Sequence, residues 1–245
     1  MMEQMLATRA PDQAAGLRSM MARRTARLVA VVEQRVPQRT GVAAGLARAL
    51  AHQHRGVLMM DENQAGAATH FSPGAAQATP LDGARAFVSL GEVLAGFVPQ
   101  ADFVIVDTVA ENEGLSRLAS SAHDVVIVMR GNDASGATLT ATYACIKQLH
   151  SQHALMHFRI LVTDCTSEAS AYGMYCRLAA VASRYLTVVL HFCGYVPGAS
   201  AAGVSGPAAV TSDASASAGG ASVVPRVRQQ TAYLNVSRSM LLWGR

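Results

Sequence analysis

The sequence predicts a doubly wound α/β fold, in which helices cover both faces of a mainly parallel β-sheet. Of the 245 residues, 51% are apolar and 15% are charged, which suits a sheet that is buried on both sides. Short apolar runs rich in β-branched residues also alternate with helical patterns along the chain. Such alternation is typical of one sheet built with right-handed crossovers, and the length suits a single α/β domain.

Six apolar runs are predicted to form the strands of this sheet, and five helical patterns follow or separate them. The predicted strands cover residues 27–33, 56–61, 101–108, 124–130, 158–164 and 187–197. The predicted helices cover residues 39–53, 86–97, 112–121, 136–150 and 167–186. Residues 62–80 are rich in Ala, Gly, Thr and Pro, and we interpret them as an irregular connection.

Three further segments flank the α/β domain, which we place at residues 27–197. Residues 1–26 contain a predicted short helix over 11–24, with Asp12 as its N-cap. Residues 198–225 are almost all Gly, Ala, Ser, Val and Pro, which is typical of a flexible linker.

The C-terminal segment, residues 226–245, regains a helical pattern. Its apolar side chains fall close to one face of the predicted helix, and they are Tyr233, Val236, Met240 and Trp243. An amphipathic helix of this kind either docks on the domain or lies on a membrane surface. The sequence leaves both alternatives open.

Composition argues against three classes: membrane-spanning proteins, metal-binding proteins and nucleic-acid-binding proteins. No apolar run reaches the roughly 18–20 residues that span a bilayer, and no signal peptide is recognisable, so we expect a cytoplasmic protein. The four cysteines lack CxxC or zinc-site spacing, which predicts reduced thiols and no metal site. Residues 1–55 carry nine Arg and three acids, but no aromatic residues interleave with them, so we expect no nucleic-acid partner.

The segment between the first predicted strand and the next helix has the position of a phosphate-binding loop. Such loops need glycines for close backbone approach, a Lys for the phosphates and a Ser or Thr for Mg²⁺. Residues 33–40 read EQRVPQRT and contain no glycine, Pro37 removes one N–H donor, and Arg39 stands at the Lys position. Thr40 retains the expected hydroxyl, so the sequence predicts a phosphate loop that has lost most of its phosphate-binding groups.

This order of strand, loop and two later acids resembles the MinD/ParA group of P-loop ATPases. The KGGVGKT loop of that group falls on residues 34–40, where both lysines and all three glycines are replaced. Asp61, at the end of VLMMD, matches the acid after the second strand, and Asp107, in FVIVDT, matches the Walker B aspartate. The resemblance implies ATP and Mg²⁺ as ligands and Arg39, Thr40, Asp61 and Asp107 as the remains of their site. Because the loop is degenerate, we expect ATP binding to be lost or weak and the ATPase activity of the group to be degenerate.

The DQAAGLR motif at residues 12–18 resembles the N-terminal motif of the FlhG family, also called FleN or YlxH, of flagellar number regulators. Similar segments continue at residues 141–150, 159–171 and 194–197. In that family the motif contacts an FlhF-type GTPase and stimulates GTP hydrolysis. The resemblance therefore implies the following partner-contact residues: Asp12, Gln13, Ala14, Leu17 and Arg18. Gln13 is expected to orient the attacking water.

The expected function is an FlhG-like regulator of flagellar number and placement that has lost its ATP switch. The implied partners are an FlhF-type GTPase and components of the flagellar basal body, together with a second copy in a homodimer. Residues 226–243 are the candidate for a weak contact at the inner face of the cell membrane.

Several alternatives remain open at this stage. One is an ATPase that still works through the altered loop and positions a flagellum, cell pole or secretion apparatus. Another is a MinD-like accessory protein that serves cellulose secretion or cell-pole placement. The motif at residues 12–18 can also be a capped amphipathic helix with no partner role. A drifting paralogue is a further alternative.

Overall fold

The computed structural model describes residues 26–34, 41–63, 67–74, 78–80, 101–110, 115–131, 136–198 and 223–243. The described strands form one eight-stranded sheet in the order β4-β3-β2-β5-β1-β6-β7-β8. They are β1 Arg27–Glu33, β2 Val57–Asp61, β3 Ala67–Phe71, β4 Ala78–Pro80, β5 Phe103–Val109, β6 Asp124–Arg130, β7 His157–Cys165 and β8 Val189–Pro197. The described helices are α1 Val42–His52, α2 Arg117–Ser120, α3 Ala137–His153, α4 Glu168–Tyr185 and α5 Val223–Met240.

The predicted doubly wound, mainly parallel sheet is confirmed. Strands β2, β5, β1, β6, β7 and β8 are parallel to one another, and all six correspond to predicted strands. One face packs on α2, α3 and α4 through a core that contains Ile127, Ile146 and Phe158. The other face packs on α1 and α5 through a core that contains Leu46 and Val126. Helices on both faces explain why the central strands are apolar throughout.

The prediction of an irregular connection over residues 62–80 is wrong. Strands β3 and β4 lie there and extend the sheet with antiparallel pairing, in which Val57 faces Phe71 and Asp61 faces Ala67. These short strands are rich in Ala and Thr, so their composition carries little β-propensity. They form where the backbone groups at the edge of β2 offer hydrogen bonds.

The structure describes several other predicted elements only in part or not at all. The predicted helices at 11–24 and 86–97 lie outside them. Of the predicted helix at 112–121, the structure describes a single turn, α2. The predicted linker at 198–225 is described only at Gly198 and at 223–225, where helix α5 already begins. The predicted helix at 39–53 is described from Gly41, whose φ of 65° lies in the left-handed region that favours glycine.

The C-terminal helix docks on the domain, the first of the two alternatives left open by its sequence. Val236 and Met240 are buried in the core beneath α1, and Tyr233 and Trp243 pack against the same cluster. The Gln229 side chain also donates to the carbonyl oxygen of Pro197 at 2.9 Å. The apolar face predicted from the sequence is therefore the face that the helix buries.

An ion triad lies at the amino ends of β1, β6 and β7. The buried carboxylate of Asp124 accepts from Arg27 Nε at 2.6 Å and from Arg159 Nε at 2.8 Å. The Arg159 guanidinium carbon lies 3.9 Å from the centroid of the Trp243 ring, a cation–π distance. The triad thus joins three strands to the turn that follows the C-terminal helix.

Helices α1 and α5 approach closely at Gly45, against which the ring of Tyr233 lies. A Cβ added at Gly45 would be 2.5 Å from Tyr233 Cζ, a distance that forces the ring or the helix to move. Overpacking of this kind costs roughly 1–3 kcal/mol. The gain in helix propensity from Gly to Ala is about 1 kcal/mol and offsets only part of that cost.

We therefore expect Gly45→Ala to lower the free energy of unfolding by about 1–2 kcal/mol, measured by urea titration. Gly173 of α4 is the matched control, because a Cβ added there meets no atom within 4 Å. Gly173→Ala is expected to raise stability by about 0.5–1 kcal/mol. Effects of the same sign at the two glycines would contradict the close packing of Tyr233.

Candidate functional site

Three acidic side chains lie at the carboxyl edge of the three adjacent strands β2, β5 and β1. Asp61 and Asp107 are register partners across β2 and β5, and Glu33 ends β1 opposite Val109. The exposed fractions of Asp61, Asp107 and Glu33 are 7%, 6% and 2%. In open α/β sheets, ligands bind beyond this edge, so these carboxylates mark the candidate site.

The turn after β2 holds Asp61 against the end of β5. Asp61 Oδ1 accepts from the backbone N–H of Asn63 at 2.9 Å and from its side-chain amide at 3.3 Å. The same amide donates to the carbonyl oxygen of Asp107 at 3.1 Å, and the N–H of Glu62 donates to that oxygen at 3.0 Å. The structure therefore brings together two of the four predicted site residues, Asp61 and Asp107. Arg39 and Thr40 lie outside the described residues.

Gln34 occupies the position that resembles the first lysine of the MinD/ParA loop. Its side-chain amide donates to Thr142 Oγ1 at 2.7 Å, and that hydroxyl donates to the carbonyl oxygen of Thr138 at 2.8 Å. Gln34 is thus tied to helix α3. The contact gives this side chain a structural partner within the chain itself.

Glu33 is the site residue that the sequence interpretation missed. It lines a cavity of about 50 Å³ together with Gln34, Val128, Arg130 and Thr138. The Glu33 carboxylate places negative charge where the phosphate loop begins, and the Arg130 side chain that lines the same cavity carries the opposite charge. The sequence feature that could have revealed Glu33 is its position as a charged residue at the end of an otherwise apolar run.

Helix α5 reaches the same edge through Tyr233. Burial raises the pKa of the Tyr233 hydroxyl, and the carboxylates of Glu33 and Asp164 raise it further, while Arg48 lowers it. The phenol is therefore protonated and neutral at physiological pH. The C-terminal helix thus contributes a hydrogen-bonding hydroxyl to the surroundings of the site.

Asp164 is a further acid at the carboxyl edge of the sheet. It lies near the end of β7, beside an irregularity in the pairing with β8. Its φ of 59° is in the left-handed region, which is uncommon for a residue other than glycine. Gly198 packs against it, since a Cβ added at Gly198 would lie 2.9 Å from Asp164 Oδ1.

The described part of this site is acidic. The buried charged side chains at the edge of β2, β5 and β1 are carboxylates, which carry the same sign of charge as phosphate. Among the described residues, no group of three or more His, Cys, Asp or Glu is arranged to hold a metal ion. The predicted partner-contact motif at residues 12–18 lies outside the described part of the chain.

Comparison with known proteins gives one sequence relative and a fold. No family model matches the sequence. Over 97 residues the chain is 29% identical to the antiactivator FleN of Pseudomonas aeruginosa, a match that covers 39% of this chain and 34% of FleN. The chain therefore matches about a third of the length of that relative.

Two solved structures from Aquifex aeolicus share the fold at 12% sequence identity. The MinD cell division protein matches with a TM-score of 0.55, over 90% of this chain and 98% of MinD. The MinC:MinD cell division protein complex matches with a TM-score of 0.54, over 89% and 97%. The fold is therefore that of MinD. Together with the FleN match, it confirms the resemblance to the FlhG and MinD group predicted from the sequence.

None of the described helices combines the length and the apolar character that crossing a membrane requires.

Proposed function

We propose that this protein is an FlhG-like regulator that acts by binding its partner and does not depend on an ATP switch of its own. The observation that carries the proposal is the set of buried carboxylates at the carboxyl edge, with Glu33 where the phosphate loop begins. The fold shared with MinD supports the assignment of the scaffold to the FlhG and MinD group. The similarity to FleN supports a regulatory role.

The proposed partner is an FlhF-type GTPase, which residues 12–18 would contact. In this proposal Asp12 caps the helix, Leu17 and Arg18 contact the partner, and Gln13 orients the water that attacks GTP. Flagellar basal-body components and a homodimer belong to the same proposal. Helix α5 is docked through Val236 and Met240, so its apolar face contacts the domain and is not presented to a membrane.

We expect Gln13→Ala in the full chain to reduce the stimulated GTP hydrolysis of an FlhF-type GTPase by about tenfold or more. Groups that position a reacting water or proton contribute roughly 10²–10⁴-fold to such rates. The measurement is phosphate release at a fixed GTPase concentration with increasing amounts of this protein.

Gln4→Ala is the matched control, since Gln4 lies in the same N-terminal segment outside the motif. Stimulation by this variant is expected to equal that of the wild type. If Gln13→Ala also stimulates like the wild type, the GTPase assignment loses its support.

The second candidate function is an active MinD/ParA-type ATPase that positions a flagellum, cell pole or secretion apparatus. The paired carboxylates of Asp61 and Asp107 favour it, because they face one another in register and the turn at Asn63 orients Asp61. In this second candidate function, Arg39 and Thr40 supply the remaining contacts to ATP and Mg²⁺. ATP turnover by the wild type and by Asp61→Ala separates the two candidates.

A further inference from the structure

The amino ends of strands β7 and β8 carry exposed apolar side chains. In the described part of the chain, six large apolar side chains are well exposed, and Tyr172 and Val181 on α4 are two of them. The other four are each at least 43% exposed and belong to the amino end of this strand pair: Met156, Tyr185, Val189 and Leu242. Single exposed apolar residues are ordinary, but four at one end of a sheet form a contact surface.

Three of these residues lie where β7 and β8 begin. The N–H of Val189 donates to the carbonyl oxygen of Met156 at 2.7 Å. Val189 is also the register partner of His157, the first residue of β7. Tyr185 ends helix α4, and the chain reaches β8 at Val189 only four residues later. Met156, Val189 and Tyr185 therefore lie around the start of the strand pair.

Two exposed histidines lie beside these residues on the same two strands. The rings of His157 and His191 are stacked, with their centroids 6.3 Å apart. Arg159 is the register partner of His191 and contacts the Trp243 ring, and Leu242 directly precedes Trp243. Leu242 therefore borders the histidine pair. We call the following six residues the amino-end patch: Met156, His157, Tyr185, Val189, His191 and Leu242.

Positive charge predominates around the amino-end patch. Arg184 is exposed, and its guanidinium carbon lies 5.5 Å from the centroid of the Tyr185 ring. Arg27 and Arg159 share the carboxylate of Asp124, whose side chain is 6% exposed. Two cations and one carboxylate leave one positive charge in that triad. A carboxylate of a partner would therefore meet uncompensated positive charge at this end of the sheet.

The histidines make this positive charge depend on pH. Partial desolvation lowers the pKa of His191 below its ordinary value, Arg159 and His157 lower it further, and Asp124 opposes them. A partner carboxylate at the patch would favour the protonated ring. Binding would then take up protons, so affinity would rise as the pH falls through the ordinary histidine pKa of about 6.5.

We propose that the amino-end patch binds a segment of a partner protein that combines apolar with acidic side chains. The exposed apolar residues would supply contact area, and carboxylates of the segment would pair with Arg184 and the protonated histidines. Anionic membrane surfaces are recognised by clusters of roughly 4–8 Lys and Arg, which is more fixed charge than the patch presents. The patch lies at the opposite edge of the sheet from the carboxyl-edge acids, so its test does not depend on the function proposed above.

The first arm of the test is selection of random short peptides from a display library on the 245-residue chain at about pH 6. Enriched peptides are expected to combine acidic with apolar residues and to shift the Cε1–H proton resonances of His157 and His191. A selected peptide is expected to bind about three- to tenfold more weakly at about pH 8. No enrichment, or enrichment of peptides without acidic residues, would overturn the proposal.

The second arm compares two exposed arginines of α4. Arg184→Glu is expected to weaken the binding of a selected peptide about tenfold, because it replaces attraction by repulsion. Arg177→Glu is the matched control, since Arg177 is equally part of the exposed helix surface but lies seven residues away, about 10.5 Å along the axis. Salt screens a charge at that separation, so this variant should bind like the wild type. Equal losses in the two variants would overturn the proposal.

The third arm tests the histidines. The double variant His157→Gln, His191→Gln is expected to bind the selected peptide with the same affinity at about pH 6 and about pH 8. His52→Gln, at the exposed end of α1, should keep the pH dependence of the wild type. An unchanged pH dependence in the double variant would overturn the assignment of the patch.

Two other occupants of the patch are distinguished by sedimentation. Binding of the chain to phosphatidylserine vesicles that is lost in both Arg184→Glu and Tyr185→Ala would identify a lipid surface as the occupant. Self-association that is lost in the same two variants would identify a second copy of the chain. Either result would overturn the proposal.

Discussion

Mg²⁺-ATP is expected to bind the 245-residue chain no more tightly than millimolar, as measured by titration calorimetry. Residues 34–40 lack the two lysines and three glycines of the MinD/ParA loop, and each lost charge-assisted hydrogen bond is worth roughly 1.5–3 kcal/mol. Losing two or three of them weakens binding by roughly two to six powers of ten.

A micromolar dissociation constant would contradict this expectation and favour the active ATPase. The second measurement is ATP turnover in the wild type and in Asp61→Ala. Equal background rates support a protein without its own ATP switch, whereas loss of turnover in the variant supports hydrolysis at this edge. Glu62→Ala is a suitable control, because it removes a neighbouring carboxylate in the turn and leaves Asp61 in place.

Asp124→Ala is expected to lower the free energy of unfolding by about 3–5 kcal/mol, measured by denaturant titration. The substitution removes the buried carboxylate that Arg27 and Arg159 share at 2.6 and 2.8 Å, and it leaves two partly buried cations side by side. Removing one partner of a buried ion pair is strongly destabilising for this reason. The contact of Arg159 with Trp243 is expected to loosen as well.

Arg55→Ala provides the comparison for an exposed ion pair. Arg55 and Asp102 are 3.5 Å apart, and their side chains are 36% and 24% exposed. The expected loss is at most about 1 kcal/mol, because solvent screens the pair. If both substitutions cost the same, Asp124 does not hold the amino ends of the strands together as described.

The sheet could be predicted because each parallel strand is a continuous apolar run. Val29, Ile105 and Val126 are buried simply because helices cover both faces. The β3–β4 hairpin could not be predicted in this way, since its pairing depends on the edge of β2 and not on its own Ala- and Thr-rich sequence. The local sequence pattern thus predicts the parallel strands of this sheet better than the antiparallel strands β3 and β4 at one edge.

Part of the candidate site could also be predicted from the apolar runs. Asp61 and Asp107 follow apolar runs, and parallel strands end at a common edge, so their proximity could be expected. The ion triad at Asp124 could not, because its partners come from strands far apart in sequence. The docking of α5 likewise depends on Gly45 leaving room for Tyr233, and no periodicity reveals such a match.

The position of helix α5 in the chain also bears on how the protein is made. It is synthesised after all the other described elements, yet Val236 and Met240 complete the core beneath α1. During translation, the face formed by Leu46, Leu50 and Val126 therefore emerges from the ribosome before its cover exists. Nascent chains at that stage expose apolar surface, which makes them substrates for chaperones and prone to aggregate. A stop codon ahead of this helix would fix the chain in that uncovered state.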